Sequence, residues 1–330
     1  MECNESEVVK EVKTGRVLEL FFRALKGENL CVRELAEEYH VSTRSLSRDI
    51  NELKNFLAER RDMFGNAELE YSNQTKRYHL KLNEFITNKE LLAITKVLIG
   101  CRAFNTDDLL VLLRKLKAHT STEDRRKLDN LIMKEVFWYT SIHFDCNSII
   151  DMVWEITEYI EAKRLITITY HKMDRSLVRR KIKPVSVLFS EYYFYLIAYE
   201  SEGEEAKIPK YFRIDRIVNI VAHREYFQLQ KSQEVDEGSL RNRSQFMFPG
   251  KLRRIRFEFS GPSVQAVLDR IPTAKIIDHK EGKDIIEAEV YGTGIKMFLL
   301  SQGSWVKVLS PQDFVEEMRE EVNKMLEHYR

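Results

Sequence analysis

The sequence predicts an α+β protein built from several domains. Apolar residues recur at helical spacing through the first half, strand-like runs replace that period after residue 162, and strands alternate with helices beyond residue 250. At 330 residues the chain is longer than one ordinary core requires. With 43% hydrophobic and 32% charged residues, and only 12 Gly and 6 Pro, it has the composition of a globular protein and not of a disordered one.

Across residues 14–25, Val17, Leu18, Leu20, Phe21, Phe22 and Leu25 give a first helix with one apolar face, which ends at Lys26-Gly27-Glu28-Asn29. A short second helix, 32–39, places Leu35 and Ala36 inward. After His40 and Val41 a third begins with Ser42 as its N-cap and runs through Leu46, Ile50, Leu53 and Leu57. His40 occupies the turn position where Gly is commonest, and His is among the few other residues enriched at positive φ. Segments 68–71 and 76–82 read as a hairpin around Ser72-Asn73-Gln74-Thr75. Three helices followed by a hairpin form a winged helix-turn-helix, assigned to residues 1–83.

Residues 84–147 read as a helical connector of three helices, two of them opened by the capping-box patterns Thr87-x-x-Glu90 and Thr120-x-x-Glu123. Its stripes, Leu91, Leu92, Ile94, Val97 and Leu98 and then Leu109, Leu110, Leu112, Leu113 and Leu116, are wider than a small bundle needs. The surplus suits either a dimer contact or packing within the chain. Another helix, 148–162, leads into β-branched strands at 165–170, 179–187, 193–199 and 211–214, with a turn at 201–204. These make residues 148–228 a small barrel or sandwich. Residues 229–242 are polar and read as a linker. From 240 to 330 the order is strand 252–259, helix 262–271, strands 274–279 and 284–291, helix 295–302, strand 305–309 and a final helix 311–329. This is the βαββαβ of a ferredoxin-like domain.

Two constellations carry candidate chemistry. With Leu46 and Ile50 facing inward, Ser42, Thr43, Arg44, Ser47 and Arg48 lie on the outward N-terminal face of the third helix, where a major groove would meet it. Arg can pair bidentately with guanine, and Ser or Thr can bond bases or phosphates. Lys76 and Arg77 lie on the hairpin where a wing reaches the phosphate backbone. The net charge is only +1, and residues 1–82 balance acids against bases, so double-stranded DNA would be held by a local patch and not by a global field. The competing reading is a nucleic-acid-sensing adaptor whose helix-turn-helix contacts protein and not DNA. In the strand-rich region, Tyr170, His171, the basic run from Arg179 to Lys183, Tyr195, Arg213 and Arg216 mix aromatic rings with cations. That mixture suits an anionic, ring-bearing ligand such as a nucleotide or short single-stranded nucleic acid, and an aromatic core with solvated Arg equally well.

The run Tyr170-His171, Pro184, Phe194-Tyr195-Leu196-Ile197-Ala198-Tyr199 and Phe212-Arg213-Ile214-Asp215-Arg216-Ile217 resembles the core of a WYL domain. The order of parts around it resembles the WYL-domain transcriptional regulators, with a winged helix-turn-helix in front and a C-terminal WCX extension behind, over nearly the whole chain. Phe194 stands where the name-giving Trp usually does, so an aromatic is kept. The resemblance implies an Sm-like barrel that binds nucleotides or nucleic acids, and a homodimer on a palindromic operator. It also implies a ligand site lined by Tyr170, His171, Tyr195, Arg213 and Arg216.

Enzyme chemistry is not expected. There is no phosphate-binding glycine loop, no H-E-x-x-H and no G-x-S-x-G. His143-Phe144-Asp145-Cys146 is the nearest approach to a metal or nucleophile cluster, and it reads as structural because one local pair lacks further ligands. No cofactor is called for. Four scattered cysteines without a C-x-x-C pair, an acidic N-terminus unlike a signal peptide, and no apolar run of membrane-spanning length lead to a cytoplasmic expectation with no membrane partner.

Overall fold

Helix α1 (Glu5–Leu25) starts nine residues earlier than the apolar spacing alone indicates. The computed structural model describes residues 5–64, 67–81, 86–118, 120, 122–202, 208–233, 235–248 and 250–330. They form two compact units, Met1–Arg102 with Thr106–Ser141, and Ala103–Asn105 with Ile142–Arg330. Helices and antiparallel sheets alternate through both.

In the first unit, Leu20 and Ala24 of α1 meet Leu35 and Ala36 of α2 (Val32–Glu38) and Leu46, Ile50, Leu53 and Leu57 of α3 (Thr43–Glu59) in one core. The spacing of four, three and four along α3 keeps those side chains on one stripe. Ser42 caps α3, its hydroxyl accepting the Ser45 N–H at 3.1 Å. His40 adopts φ +53°, as the turn between α2 and α3 demands. After α4 (Arg61–Phe64), strands β1 (Glu68–Ser72) and β2 (Arg77–Lys81) pair antiparallel with Ser72 opposite Arg77. Leu30, between α1 and α2, exchanges both backbone hydrogen bonds with Tyr78, at 2.7 and 2.8 Å, and so ties the hairpin to the helices. Leu82, placed in the second strand from sequence, lies outside the described residues.

Helices α5 (Asn88–Cys101), α6 (Thr106–Lys117) and α7 (Thr122–Phe137) follow. The Thr87–Glu90 capping box is present. Helix α7 begins at Thr122, and the Thr120 hydroxyl donates to the Lys117 carbonyl at 2.8 Å; position 121 and the Glu123 side chain of the second predicted box lie outside the described residues. Leu91, Ile99, Leu109, Leu113, Leu128 and Ile132 are buried, whereas Ile94, Val97, Leu110, Leu131, Met133, Phe137 and Trp138 stay exposed.

The second unit opens with α8 (Ile149–Glu161), capped by Ser148. Strands β3 (Arg164–His171), β4 (Leu177–Ser190), β5 (Tyr193–Glu200), β6 (Lys210–Arg213) and β7 (Ile217–Tyr226) form a sheet of order β6-β5-β4-β3-β7, antiparallel throughout. Gly203 and Glu204 of the predicted turn lie outside the described residues. Strand β7 is absent from the sequence reading. Most of its side chains are exposed or half-buried, and its partner is β3, some fifty residues earlier, so local burial periodicity does not mark it. Ile149 and Ile156 of α8 cover Ile166, Ile168, Ile182, Leu196, Ala198 and Phe212 of the sheet.

The predicted linker is structured. A short 3-10 turn (Lys231–Gln233) and α9 (Glu237–Arg243) occupy it, and Leu240 is buried with Leu188, Ile197 and Met247. One apolar residue on a seven-residue helix is too weak a periodic signal to separate a docked helix from a polar loop. Beyond it, β8 (Leu252–Phe259), α10 (Val264–Arg270), β9 (Lys275–Lys280), β10 (Lys283–Tyr291), α11 (Gly294–Ser301), β11 (Val306–Ser310) and α12 (Gln312–Glu327) follow the predicted βαββαβ order, with strands arranged β11-β8-β10-β9. Ile255, Phe257 and Phe259 alternate inward beside Ile286, Ala288 and Val290.

Candidate ligand pocket and polar helix face

The tip of the β3–β4 hairpin (His171, Lys172, Met173, Arg175), the start of β5 (Tyr193), the turn after β6 (Arg213, Asp215, Arg216) and the segment before α8 (Ile142, His143, Asp145) enclose a pocket of about 280 Å³. Two hydrogen bonds hold the Arg213 guanidinium to Asp215, Nε to Oδ1 at 3.2 Å and Nη2 to Oδ2 at 2.7 Å. Its central carbon lies 3.4 Å from the centre of the Tyr193 ring. Burial works to lower the Arg213 pKa, but the hydrogen bonds it donates to Asp215 outweigh it and raise the pKa, so the guanidinium stays charged. Clamped between a carboxylate and an aromatic face, it presents its remaining N–H groups in a fixed plane.

Asp145 closes the opposite wall. Its backbone N–H donates to the Asp215 carbonyl at 2.7 Å. One carboxylate oxygen lies 3.1 Å from His143 Nε2 and 3.8 Å from an Arg175 nitrogen, and the other lies 3.0 Å from His171 Nδ1. The contact with His171 is close but poorly aligned, and neither of its two buried atoms has a well-formed hydrogen bond among the described residues. Burial works to raise the Asp145 carboxyl, and the close contacts with His171 and His143 overcome it, holding the group below its ordinary value. Lys172 is exposed and Arg216 half-buried, and neither has an ion-pair partner among the described residues. The lining thus sets Lys172, Arg175, Arg213 and Arg216 against two carboxylates that are already engaged. An anion is the ligand such a lining attracts.

Of the residues singled out from sequence, His171, Arg213 and Arg216 line this pocket and Tyr170, Arg179 and Tyr195 do not. Tyr170 and His171 are consecutive on β3 and point to opposite faces. The Tyr170 ring packs edge-on against Phe212, centres 5.5 Å apart, in the core. Tyr195 stacks edge-on against Tyr193 and packs against the cluster around Leu188 and Ile197, where burial pushes its phenol up to about 12. Arg179 is exposed on β4, opposite Thr169. Sequence reasoning missed Tyr193, Lys172, Arg175, Asp145 and Asp215 as pocket residues. Tyr193 was findable, since it lies two positions from Tyr195 on the same strand; the meeting of Asp145 with His171, 26 positions apart, is a product of the fold.

In the first unit, Ser42, Thr43, Arg44 and Arg48 are exposed along one face at the start of α3. The half-buried Ser47 hydroxyl donates to the Thr43 carbonyl at 2.8 Å and keeps its acceptor capacity. Arg44 and Arg48, one helical turn apart, have no ion-pair partner among the described residues. Behind them Arg16 Nε lies 2.6 Å from Asp49 Oδ2, a buried pair that joins α1 to α3. Lys76, at φ +56°, is exposed at the hairpin tip. Arg77 departs from its expected role: its guanidinium is bound within the chain, to Glu34 at 2.5 Å and to the Asn29 carbonyl at 3.3 Å, and braces the hairpin against α2.

Fold and pocket together define a protein of several domains in which a small antiparallel sheet with a cationic pocket is followed by a βαββαβ domain. The family of each part is specific: residues 151–222 match the WYL domain and residues 251–326 the WCX domain. The chain therefore carries a WYL domain followed by a WCX domain. Among solved structures it is similar to proteasome accessory factor B/C (PafBC) of Arthrobacter aurescens, at 16% identity and a TM-score of 0.27, over 96% of this chain and 48% of that one. The chain thus spans about half the length of that relative. It is also similar to a protein described as CRISPR Cas-related, at 16% identity and a TM-score of 0.40, over 84% of this chain and 78% of the other. Comparison with curated proteins gave no match. Among the described residues no helix is long and apolar enough to cross a membrane.

Proposed function

We propose that this protein is a ligand-responsive transcription regulator that binds double-stranded DNA through its first unit and senses a phosphate-bearing ligand in the WYL pocket. The observation that carries the reading is the pocket itself: four Lys and Arg side chains, one of them stacked on Tyr193, in a segment that matches the WYL domain. A phosphate is a strong acceptor for Arg, and a planar base can share the aromatic wall. The effector we assign is a nucleotide or the end of a short single-stranded nucleic acid, since the pocket is near the lower end of the usual size range for ligand sites.

Helices α2 and α3 with the β1–β2 hairpin are read as a winged helix-turn-helix, and the five-stranded sheet as an Sm-like barrel. Ser42, Thr43, Arg44, Ser47 and Arg48 enter the major groove and Lys76 meets the backbone. Exposed Ile94, Val97, Leu131, Met133, Phe137 and Trp138, on α5 and α7 and just beyond, are the surface assigned to a homodimer on a palindromic operator. No catalytic role, metal or cofactor enters this reading, and the cytoplasm is its setting.

The test is binding of the purified protein to fragments upstream of its own gene at two salt concentrations, with and without nucleotides and short oligonucleotides. The expected result is a specific shift that weakens steeply with salt and changes with one of the added ligands. Arg48→Ala should cost about 1–3 kcal/mol of operator affinity, and Arg216→Ala should abolish the ligand response while leaving DNA binding intact. A folded dimer that shifts no fragment would favour the adaptor reading instead.

A further inference from the structure

We propose that Asp145 is a built-in anion that occupies the cationic pocket, and that the ligand's phosphate displaces it, so that pocket occupancy is transmitted to residues 142–146. This rests on the reading of the pocket as a phosphate site and concerns how that site is regulated.

The carboxylate sits where an incoming anion would sit. It lies within 3.0–3.8 Å of His143, His171 and Arg175, three of the pocket's basic side chains, and its own side chain is only 12% exposed. A phosphate entering the pocket must either share those partners with a carboxylate beside it or expel it. Like charges that close repel, and the few waters such a space admits screen them weakly. The incumbent is also imperfectly held, because His171 Nδ1 and Asp145 Oδ2 face each other at 3.0 Å without the alignment of a hydrogen bond. A phosphate, with more acceptor oxygens than a carboxylate, can satisfy His171, Arg175 and Arg216, the last without an ion-pair partner among the described residues, together.

The consequence follows from the place of Asp145 in the chain. Residues 142–146 join the first unit to α8, and two kinds of contact hold Asp145 to the pocket: its carboxylate contacts and the hydrogen bond from its backbone N–H to the Asp215 carbonyl. When the ligand takes the first, only the second remains, opposed by repulsion between the freed carboxylate and the bound phosphate. Asp145 is then held to the pocket wall by one backbone hydrogen bond, while Phe144 and Cys146 stay packed in the core, so the loosening falls on residues 142, 143 and 145.

The experiment compares full-length wild type, Asp145→Asn and Arg216→Ala. Binding of inorganic phosphate, a nucleoside monophosphate and a 5′-phosphorylated trinucleotide is measured by calorimetry, and hydrogen exchange of residues 139–148 is followed with and without the best binder. Asparagine is isosteric, so the fold and the contact with His143 persist while the competing charge is gone. Asp145→Asn is expected to bind the phosphate probe about tenfold more tightly, a change of about 1.4 kcal/mol. Its segment should exchange faster than that of wild type without ligand, and saturation should accelerate it less than it accelerates wild type. A purely structural Asp145 would give the reverse, with weaker or equal binding in the variant. That result, or a wild-type segment whose exchange is unchanged or slowed by saturating ligand, overturns the displacement while leaving the pocket assignment standing, provided Arg216→Ala still abolishes binding. If neither wild type nor Asp145→Asn binds any of the three probes, the pocket reading fails and the displacement with it.

Discussion

Replacing Asp49 with Ala leaves Arg16 as an uncompensated charge between α1 and α3. Asp49 is 1% exposed and Arg16 10%, their atoms are 2.6 Å apart, and the other Asp49 oxygen has no partner among the described residues. Each charge therefore depends on this single contact. Breaking a buried pair by removing one partner costs about 3–5 kcal/mol, because the survivor remains desolvated. Arg16 keeps a sliver of solvent access, which places the cost near the lower figure, about 3 kcal/mol. Against domain stabilities of about 5–15 kcal/mol this is a large fraction. The double variant Arg16→Met with Asp49→Leu removes both charges and keeps the volume, and it should unfold close to the wild-type midpoint or above it. Urea unfolding of the full chain, followed by helical circular dichroism, measures this as a shift in the first unit's midpoint at constant slope. An Asp49→Ala midpoint indistinguishable from wild type would refute the claim that the pair is buried and mutually dependent. So would a double variant as unstable as the single one. Operator affinity of the double variant then separates a stabilising role for the pair from one in setting the angle of α3.

Two further outcomes follow from the second unit. A Cβ added at Gly294 would stand 1.8 Å from the Gln245 carbonyl oxygen, so Gly294→Ala must push residues 245–248 away from the start of α11. The expected loss is about 1–3 kcal/mol, read in calorimetric unfolding, and an unchanged melting temperature would contradict the close approach. Tyr195, with its phenol raised to about 12, favours the folded state while it is protonated. That contribution is complete below the ordinary tyrosine value near 10 and declines as pH rises from there toward 12. Phenolate absorbance should show Tyr195 titrating last or only together with alkaline unfolding, and replacing it with Phe should flatten stability over that window. Free titration near 10 in the folded protein would contradict its burial.

The three helices and hairpin of the first unit, and the βαββαβ order of the last domain, were legible because each rests on local chemistry. Ser42 caps α3 through its own hydroxyl, His40 tolerates a positive φ, and Ile255, Phe257 and Phe259 declare an inward face by alternation. The WYL motif was legible in the same way, as short runs along β3, β5 and β6. Strand β7 and helix α9 were not, because an exposed strand paired with β3 and a helix with one buried leucine take their stability from distant partners.

The sequence by itself determined the elements, their order and the pool of cations and aromatics from which a site could be drawn. Tertiary structure decided which of them meet. Strand alternation sent Tyr170 into the core and His171 to the pocket, and pairing of the hairpin with α2 bound Arg77 to Glu34. Chain folding carried Asp145 across to His171, Arg175 and Asp215. Hydrogen bonds and ion pairs act over a few ångströms, and separations of tens of residues become separations of that size only when the core has closed.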